Sequence, residues 1–84
     1  MTDAEAKRLS IDVLSAIAPE ADFDALPATI PLRDELDLDS MDLLNFISGL
    51  HERTCIDIPG ADYPRLATLE GAVRYLTSRH PIAH

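Results

Sequence analysis

The segment from Ser40 to Arg53 constrains the fold most strongly, because it is long enough for a helix and contains no proline and only one glycine. Its large apolar residues recur at the spacing of a single helical face. They are Leu43, Phe46, Ile47 and Leu50. We therefore predict a helix over about 40–53 that turns this face towards a core.

The start of this helix carries a serine within a capping sequence. Asp39 is suited to the N-cap position, and Asp42, three residues later, completes a short capping box. Free backbone N–H groups and the positive end of the helix dipole then lie close to Ser40, where a phosphate ester would be stabilised. Met41 falls off the apolar face, so we expect it to be exposed beside Ser40. Taken alone, these residues indicate only a capped helix.

Composition limits the remaining possibilities. Eighty-four residues suit one small domain, and 46% hydrophobic residues with three glycines and no tryptophan favour a helical bundle. A formal net charge of −8 argues against nucleic-acid binding. The single cysteine cannot form an internal disulfide, the first residues do not resemble a signal peptide, and no segment is long enough to cross a bilayer. We expect a cytoplasmic protein.

The first helix is predicted over about 3–17. Thr2 and Glu5 match a capping box, and Pro19 ends the segment. Its predicted buried residues are Ala6, Leu9, Val13 and Ile17, with Ile11 and Leu14 at or beyond the margin of this face. Residues 18–39 then form a long ordered loop that could include a helical turn. Its expected anchors to the core are Phe23, Leu26, Ile30, Leu32 and Leu36.

Two shorter elements complete the fold. Pro59-Gly60 indicates a turn, after which a short third helix or single turn is predicted at about 62–66, limited by Pro64. Thr68 is the expected N-cap of a last helix at about 69–79. Its predicted buried residues are Leu69, Ala72, Val73 and Leu76, with Arg79 and His80 near its end and Pro81 after it. We predict an all-α four-helix bundle, with three main helices and a short third one, formed by a single domain over 1–84.

Several chemical alternatives fail on spacing. A hydrolase would need a base near Ser40, but His51 lies about 16 Å along the same helix, and neither His80 nor His84 has an evident orienting carboxylate. The carboxylates at 34–42 do not fit an EF-hand, because Met41 would occupy a ligand position. His51 and Cys55 alone are too few ligands for a metal site. We expect Cys55 to be buried or half-buried and unreactive.

The chain resembles the acyl carrier protein family from about Pro31 to Leu76. The resemblance rests on Leu36-Asp37-Leu38-Asp39-Ser40-Met41-Asp42 before an apolar helix, and on Ile58-Pro59, Thr68-Leu69 and Tyr75-Leu76. It implies that Ser40 carries a phosphopantetheine arm transferred from coenzyme A, whose thiol holds acyl groups as thioesters. It also implies a magnesium-dependent phosphopantetheinyl transferase, with Asp39 helping to position it. Contacts to partners are expected from Asp39, Met41, Leu44 and Glu52.

The resemblance predicts a stand-alone, monomeric carrier that is not an enzyme and that serves acyl-loading and acyl-transfer or condensing enzymes. Many family members have glycine where this chain has Asp37, so we expect a different path into the helix. The outer face of the helix is less acidic than in carriers of primary fatty-acid synthesis, which favours a specialised fatty-acid, polyketide or related pathway. The alternative is an unmodified acidic helical module that binds a basic partner through the acidic loop and Met41.

Overall fold

The computed structural model describes residues 1–78, and the elements in this range are helical. The α-helices are α1 (Asp3–Ile17), α2 (Leu32–Glu35), α3 (Ser40–Thr54) and α4 (Leu69–Ser78), and two 3₁₀ segments span Phe23–Ala25 and Gly60–Leu66. Within the described residues no strand occurs, and a single isolated bridge pairs Pro31 with Thr68. The predicted all-α fold is confirmed, including the long connection before α3 and the short third helix, which is a 3₁₀ helix.

Helix α1 starts with the predicted capping box. The backbone N–H of Glu5 donates to Thr2 Oγ1 at 3.2 Å, and the backbone N–H of Thr2 donates to Glu5 Oε1 at 3.1 Å. The donation from the Thr2 backbone holds the pKa of the Glu5 carboxyl below its ordinary value of 4.5. The helix ends at Ile17, two residues before Pro19. Local sequence rules therefore set both ends of α1.

The core forms where α1 packs against both α3 and α4. Contact on two sides buries a wider arc of α1 than one apolar stripe, and the expectation that Leu14 lies at the margin is wrong: Leu14 is fully buried. Ser10 is also buried, and its hydroxyl donates to the Ala6 carbonyl at 2.8 Å. Leu9 and Ile17 are only partly buried.

Helices α1 and α3 approach closely at Gly49. A Cβ atom at this position would lie 2.6 Å from Val13 Cγ1, inside van der Waals contact. The glycine in the middle of α3 therefore allows the two helices to pack at a distance that a larger residue would prevent. This contact helps to fix the orientation of α3, and with it the position of Ser40.

The loop from 18 to 39 is attached to the start of α4 by its backbone. The Leu32 N–H donates to the Ala67 carbonyl at 2.7 Å, and the Glu70 N–H donates to the Ala28 carbonyl at 2.9 Å. Leu32 is fully buried, but Ile30 keeps 39% of its surface exposed. The prediction that Ile30 anchors the loop is wrong, because backbone pairing holds this part of the loop in its place. Phe23, Leu26 and Leu36 pack against the core as expected.

The 3₁₀ segment Gly60–Leu66 is tied to α4 by a buried tyrosine. Tyr75 is 3% exposed, and its hydroxyl donates to Asp62 Oδ2 at 2.8 Å and contacts the Asp57 carbonyl oxygen at 3.3 Å. Helix α4 starts with the predicted cap, in which the Gly71 N–H donates to Thr68 Oγ1 at 2.9 Å. The expectations for Arg79, His80 and Pro81 lie outside the described residues.

Candidate functional site

Ser40 is the first residue of α3, and reciprocal hydrogen bonds fix its backbone. The Asp42 N–H donates to Asp39 Oδ1 at 2.8 Å, and the Asp39 N–H donates to Asp42 Oδ2 at 3.4 Å. The predicted capping box is therefore present, with Asp39 as the N-cap residue. Two neighbouring side chains hold the helix start, and the Ser40 side chain takes no part in the cap.

The Ser40 hydroxyl is available to other molecules. Ser40 is exposed, and within residues 1–78 its hydroxyl has no hydrogen-bond partner. The first helical backbone bond runs from the Leu43 N–H to the Asp39 carbonyl at 3.1 Å, and the Asp42 N–H is taken by the cap. The N–H groups of Ser40 and Met41 therefore have no partner inside the helix. An anion on the Ser40 oxygen would be stabilised by these donors and by the helix dipole.

Burial and backbone conformation position the residues that lead to Ser40. Leu38 is 5% exposed, and its N–H donates to the Arg33 carbonyl at 3.0 Å. Asp37, the residue before it, has φ 52°, in the left-handed region where glycine is favoured and aspartate is among the better tolerated residues. Asp37 thus has a backbone conformation that glycine also adopts.

The predicted partner-contact residues fall into two groups along α3. Met41 is 65% exposed and Leu44 is 43% exposed, so two apolar side chains lie within a turn or so of Ser40. Asp39 is exposed, and its Oδ2 has no partner in the described part of the chain. Glu52 is exposed as well but lies about 18 Å along the helix from Ser40. The structure therefore brings Asp39, Met41 and Leu44 together at the serine and places Glu52 elsewhere.

Most of the negative charge lies in the loop that leads to Ser40. Residues 18–39 contain seven carboxylates and one arginine, which gives −6 of the chain's formal −8. All seven carboxylates are exposed: Glu20, Asp22, Asp24, Asp34, Glu35, Asp37 and Asp39. Helix α3 itself carries Asp42 and Glu52 against Arg53. The electrostatic attraction of a basic partner is thus concentrated before the serine.

The residues considered for other chemistry have structural roles. His51 is the one histidine in the described range. Its Nδ1 lies 2.8 Å from the Ile56 carbonyl oxygen, and this hydrogen bond connects the end of α3 to the segment that follows it. The expectation that Cys55 is buried or half-buried is wrong: it is exposed, with φ 57° as the C-cap of α3. Helix α3 ends at this left-handed residue, and its neighbours Thr54 and Ile56 are buried instead.

Residues 1–78 lack two features that would indicate another kind of site. They contain no cluster of three or more histidine, cysteine or acidic side chains arranged to hold a metal ion. None of their helices combines the length and hydrophobicity that a bilayer crossing needs. The site is therefore defined by the serine and its surroundings, without a metal cluster in this part of the chain.

One feature of the surface of α3 was not predicted from the sequence. An open groove of about 280 Å³ lies between α3 and the chain that follows it. It is lined by Ile47, Ser48, His51, Glu52, Asp57, Ile58 and Tyr63. The wall opposite α3 is held by contacts of Tyr75 with Asp62 and Asp57, which lie 13 and 18 positions before it in the sequence. A local sequence pattern does not reveal contacts over such separations. The sequence signal that could have pointed to the groove is the polar Ser48 and His51 beside Ile47 on α3.

Fold and site together define a class: small all-helical domains in which a long loop leads to an exposed serine at the start of a helix. No protein-family model matches the chain. The acyl carrier protein of Rubrobacter xylanophilus is 35% identical over 71 residues, which cover 84% of this chain and 75% of that protein. The chain therefore belongs to the acyl carrier protein family.

The fold agrees with this assignment. The structure of an acyl carrier protein from Enterococcus faecalis matches with a TM-score of 0.75 and covers 93% of this chain and 98% of that one. Identity to that protein is 22%, so the likeness concerns the fold alone. The predicted resemblance, made from the residues around Ser40 and the later helices, is confirmed.

Proposed function

We propose that Ser40 accepts phosphopantetheine from coenzyme A and that the protein carries acyl groups between partner enzymes. The observation that supports this most directly is the exposed Ser40 hydroxyl, which has no partner among the described residues, at the capped start of α3. The thiol of the arm would hold each acyl group as a thioester. The protein would act as a substrate of other enzymes, in the cytoplasm, where coenzyme A is available.

In the attachment step, the Ser40 oxygen would form a bond to the phosphorus that carries the pantetheine. The bond from that phosphorus to the bridging oxygen of the diphosphate would break, and adenosine 3′,5′-bisphosphate would leave. The serine proton would pass to a base of the transferase, because His51 lies about 16 Å away along α3. The free N–H groups of Ser40 and Met41 would stabilise the negative charge of the new phosphodiester.

Asp39 has two oxygens with different roles. Oδ1 accepts the Asp42 N–H at 2.8 Å and so holds the helix start. Oδ2 is left for the transferase, and a carboxylate oxygen is a suitable ligand for the magnesium ion that the family resemblance implies. Met41 and Leu44 would supply apolar contact next to the serine, and Glu52 a contact farther along α3. We also propose that the protein is monomeric and serves a specialised fatty-acid, polyketide or related pathway.

The test is to incubate the unmodified protein with coenzyme A, magnesium and a promiscuous phosphopantetheinyl transferase, and to measure the intact mass. We expect the gain of one phosphopantetheine group. Ser40→Ala should show no gain, while Ser48→Ala, which removes another exposed hydroxyl of α3, should be modified as the native protein is. No gain in the native protein, or a gain in Ser40→Ala, would refute the proposal.

The concentration of charge before Ser40 supports one alternative, an unmodified module that binds a basic protein through residues 18–39 and Met41. The two functions predict different masses for protein purified from its native host. A carrier would be recovered largely with the added group. Recovery at the unmodified mass, with binding that depends on Met41, would favour the alternative.

A further inference from the structure

We propose that Leu38 is a positioning residue for the modification of Ser40: its buried side chain fixes the start of α3, so that the serine oxygen meets the transferase in one orientation. This inference rests on the proposed carrier function and adds to it a residue that is buried away from the reacting atoms. Three observations support it: the burial of Leu38, its backbone hydrogen bond and the distance from Ser40 to the first buried residue of α3.

Leu38 is the only buried residue in the stretch 33–45. It is 5% exposed and belongs to the hydrophobic core. Its two neighbours in the sequence, Asp37 and Asp39, are exposed, and so is Ser40. The chain thus enters the core at one residue and returns to the surface before the serine.

Helix α3 has no buried residue near its own start. The first of its buried residues is Phe46, which lies about 9 Å along the axis from Ser40. Leu43 is partly buried against the core, while Met41 and Leu44 are exposed. The first turn of α3 therefore has few core contacts of its own, and the residue just before it supplies the nearest fully buried one.

A backbone hydrogen bond connects Leu38 to the rest of the fold. The Leu38 N–H donates to the Arg33 carbonyl at 3.0 Å. Arg33 follows Leu32 in α2, whose side chain is fully buried and whose N–H donates to the Ala67 carbonyl at 2.7 Å. Both the side chain and the backbone of Leu38 thus fix the approach to Ser40 relative to α2 and the start of α4.

Loss of the Leu38 side chain would affect the chemical step more than the docking of the transferase. The exposed residues expected to contact that enzyme, Asp39, Met41 and Leu44, would all remain, so association should change little. The Ser40 oxygen would be less well aligned with the phosphorus, and a displacement of about 1 Å can slow a reaction by up to ~10²-fold. Leu38 should therefore affect kcat more than KM.

The test measures kcat and KM of a promiscuous phosphopantetheinyl transferase on the native protein and three variants, at a temperature where circular dichroism shows all four to be folded. For Leu38→Ala we expect kcat to fall about tenfold, with KM close to the native value. Leu38→Met keeps the volume of the side chain and should restore most of the rate. Leu50→Ala is the matched control, because it removes the same atoms from a fully buried site of α3 about 15 Å from Ser40 and should keep the native kcat.

Amide hydrogen exchange gives a second readout that needs no transferase. The N–H groups of Asp42 and Leu43 both bond to Asp39 and report local opening of the first turn of α3. They should exchange faster in Leu38→Ala than in the native protein. In Leu50→Ala they should exchange at the native rate, because the start of the helix is still held.

A native kcat for Leu38→Ala, an equal fall in Leu50→Ala, or an effect on KM alone would overturn the inference. If Leu38→Ala does not fold, Leu38→Val and Leu50→Val replace the alanine pair, with a smaller effect expected in the same direction. Failure of the native protein to gain mass would instead refute the proposed function, and the exchange rates would then decide whether Leu38 fixes the start of α3. The two failures are therefore distinguishable.

Discussion

The hydroxyl groups at the two ends of α3 differ in their hydrogen bonding. At the N-terminus, Asp39 and Asp42 form the cap between themselves and leave the Ser40 hydroxyl exposed and unbonded within residues 1–78. At the C-terminus, the Thr54 hydroxyl donates to the Leu50 carbonyl at 2.7 Å and accepts the Ile56 N–H at 3.1 Å. One helix thus carries one hydroxyl that is left free and one that is fully used.

This difference separates a functional group from a structural one. A buried hydroxyl must find partners, because leaving it unbonded costs free energy. Thr54 is 8% exposed and follows that rule. Ser40 is in water, where the fold neither needs nor constrains its hydroxyl. Replacement of the two residues should therefore affect loading and stability in opposite ways.

The largest expected effect is on loading. Ser40→Ala should abolish the gain of phosphopantetheine, because the attacking oxygen is removed. Its free energy of unfolding should stay within about 0.5 kcal/mol of the native value, as for other exposed residues without contacts. Intact mass and urea denaturation measure the two quantities. A large loss of stability would show that the Ser40 hydroxyl has a structural partner after all.

Thr54→Val should have the reverse effect. Valine keeps the shape but leaves the buried Ile56 N–H without its acceptor, so we expect the free energy of unfolding to fall by about 1–3 kcal/mol. Loading of the folded protein should be unchanged. Ser15→Ala, which removes an exposed hydroxyl bonded to the Asp12 carbonyl, is the control and should cost much less. Similar losses of unfolding free energy in Thr54→Val and Ser15→Ala would contradict the structural role of the Thr54 hydroxyl.

The cap itself should have an intermediate effect. Asp39→Ala removes the acceptor of the Asp42 N–H and should lower the free energy of unfolding by about 1 kcal/mol. Asp39→Asn keeps a side-chain oxygen and should restore most of that loss. Thermal unfolding of the three proteins gives the comparison. If asparagine proves as harmful as alanine, the charge of Asp39 matters more than its hydrogen bond.

The two left-handed residues on either side of α3 offer a smaller test. Glycine should relieve backbone strain at Cys55, with φ 57°, and raise the free energy of unfolding by about 0.5–1 kcal/mol. Asp37→Gly should gain less, because aspartate tolerates φ 52° better than cysteine tolerates its own angle. Urea denaturation of both variants would show whether this order is correct.

The smallest expected effect concerns the equivalent cap of α1. The pKa of Glu5 is lowered in the folded protein, so its stabilising contribution is present above pH 4.5 and is lost as the pH falls through the lower, folded value. Glu5→Gln should flatten the dependence of the melting temperature on pH in that window. An unchanged pH profile would mean that the Thr2–Glu5 cap does not favour the ionised form.

Features that depend on neighbours within a few positions were predictable from the sequence. The caps at Thr2–Glu5 and Asp39–Asp42 and the exposure of Met41 follow from helix geometry and side-chain chemistry over three or four residues. For that reason the candidate serine and its local setting could be located without a structure. Its chemical meaning required the wider resemblance, because a capped serine alone has no assigned role.

The predictions that proved wrong concern contacts between segments that are distant in the sequence. Leu14 is buried because α1 packs between α3 and α4. The prediction of one buried apolar face on α1 assumed a single packing neighbour. Ile30 is exposed because backbone pairing with the start of α4 already holds the loop. Ser48 and His51 on α3 are a local signal for one wall of the groove, but its other wall depends on where the segment after Cys55 packs, which is a contact between distant residues.

The backbone pairing between the long loop and α4 has a consequence for local opening. The Leu32 amide bonds to Ala67, and the Glu70 amide bonds to Ala28, so the loop and the first turn of α4 are hydrogen-bonded to each other. Transient unfolding of that turn would release the segment that leads to the serine, and the two regions should exchange their amide hydrogens as one cooperative unit. Part of the loop that leads to Ser40 is therefore held in place by a helix that begins almost thirty positions after the serine.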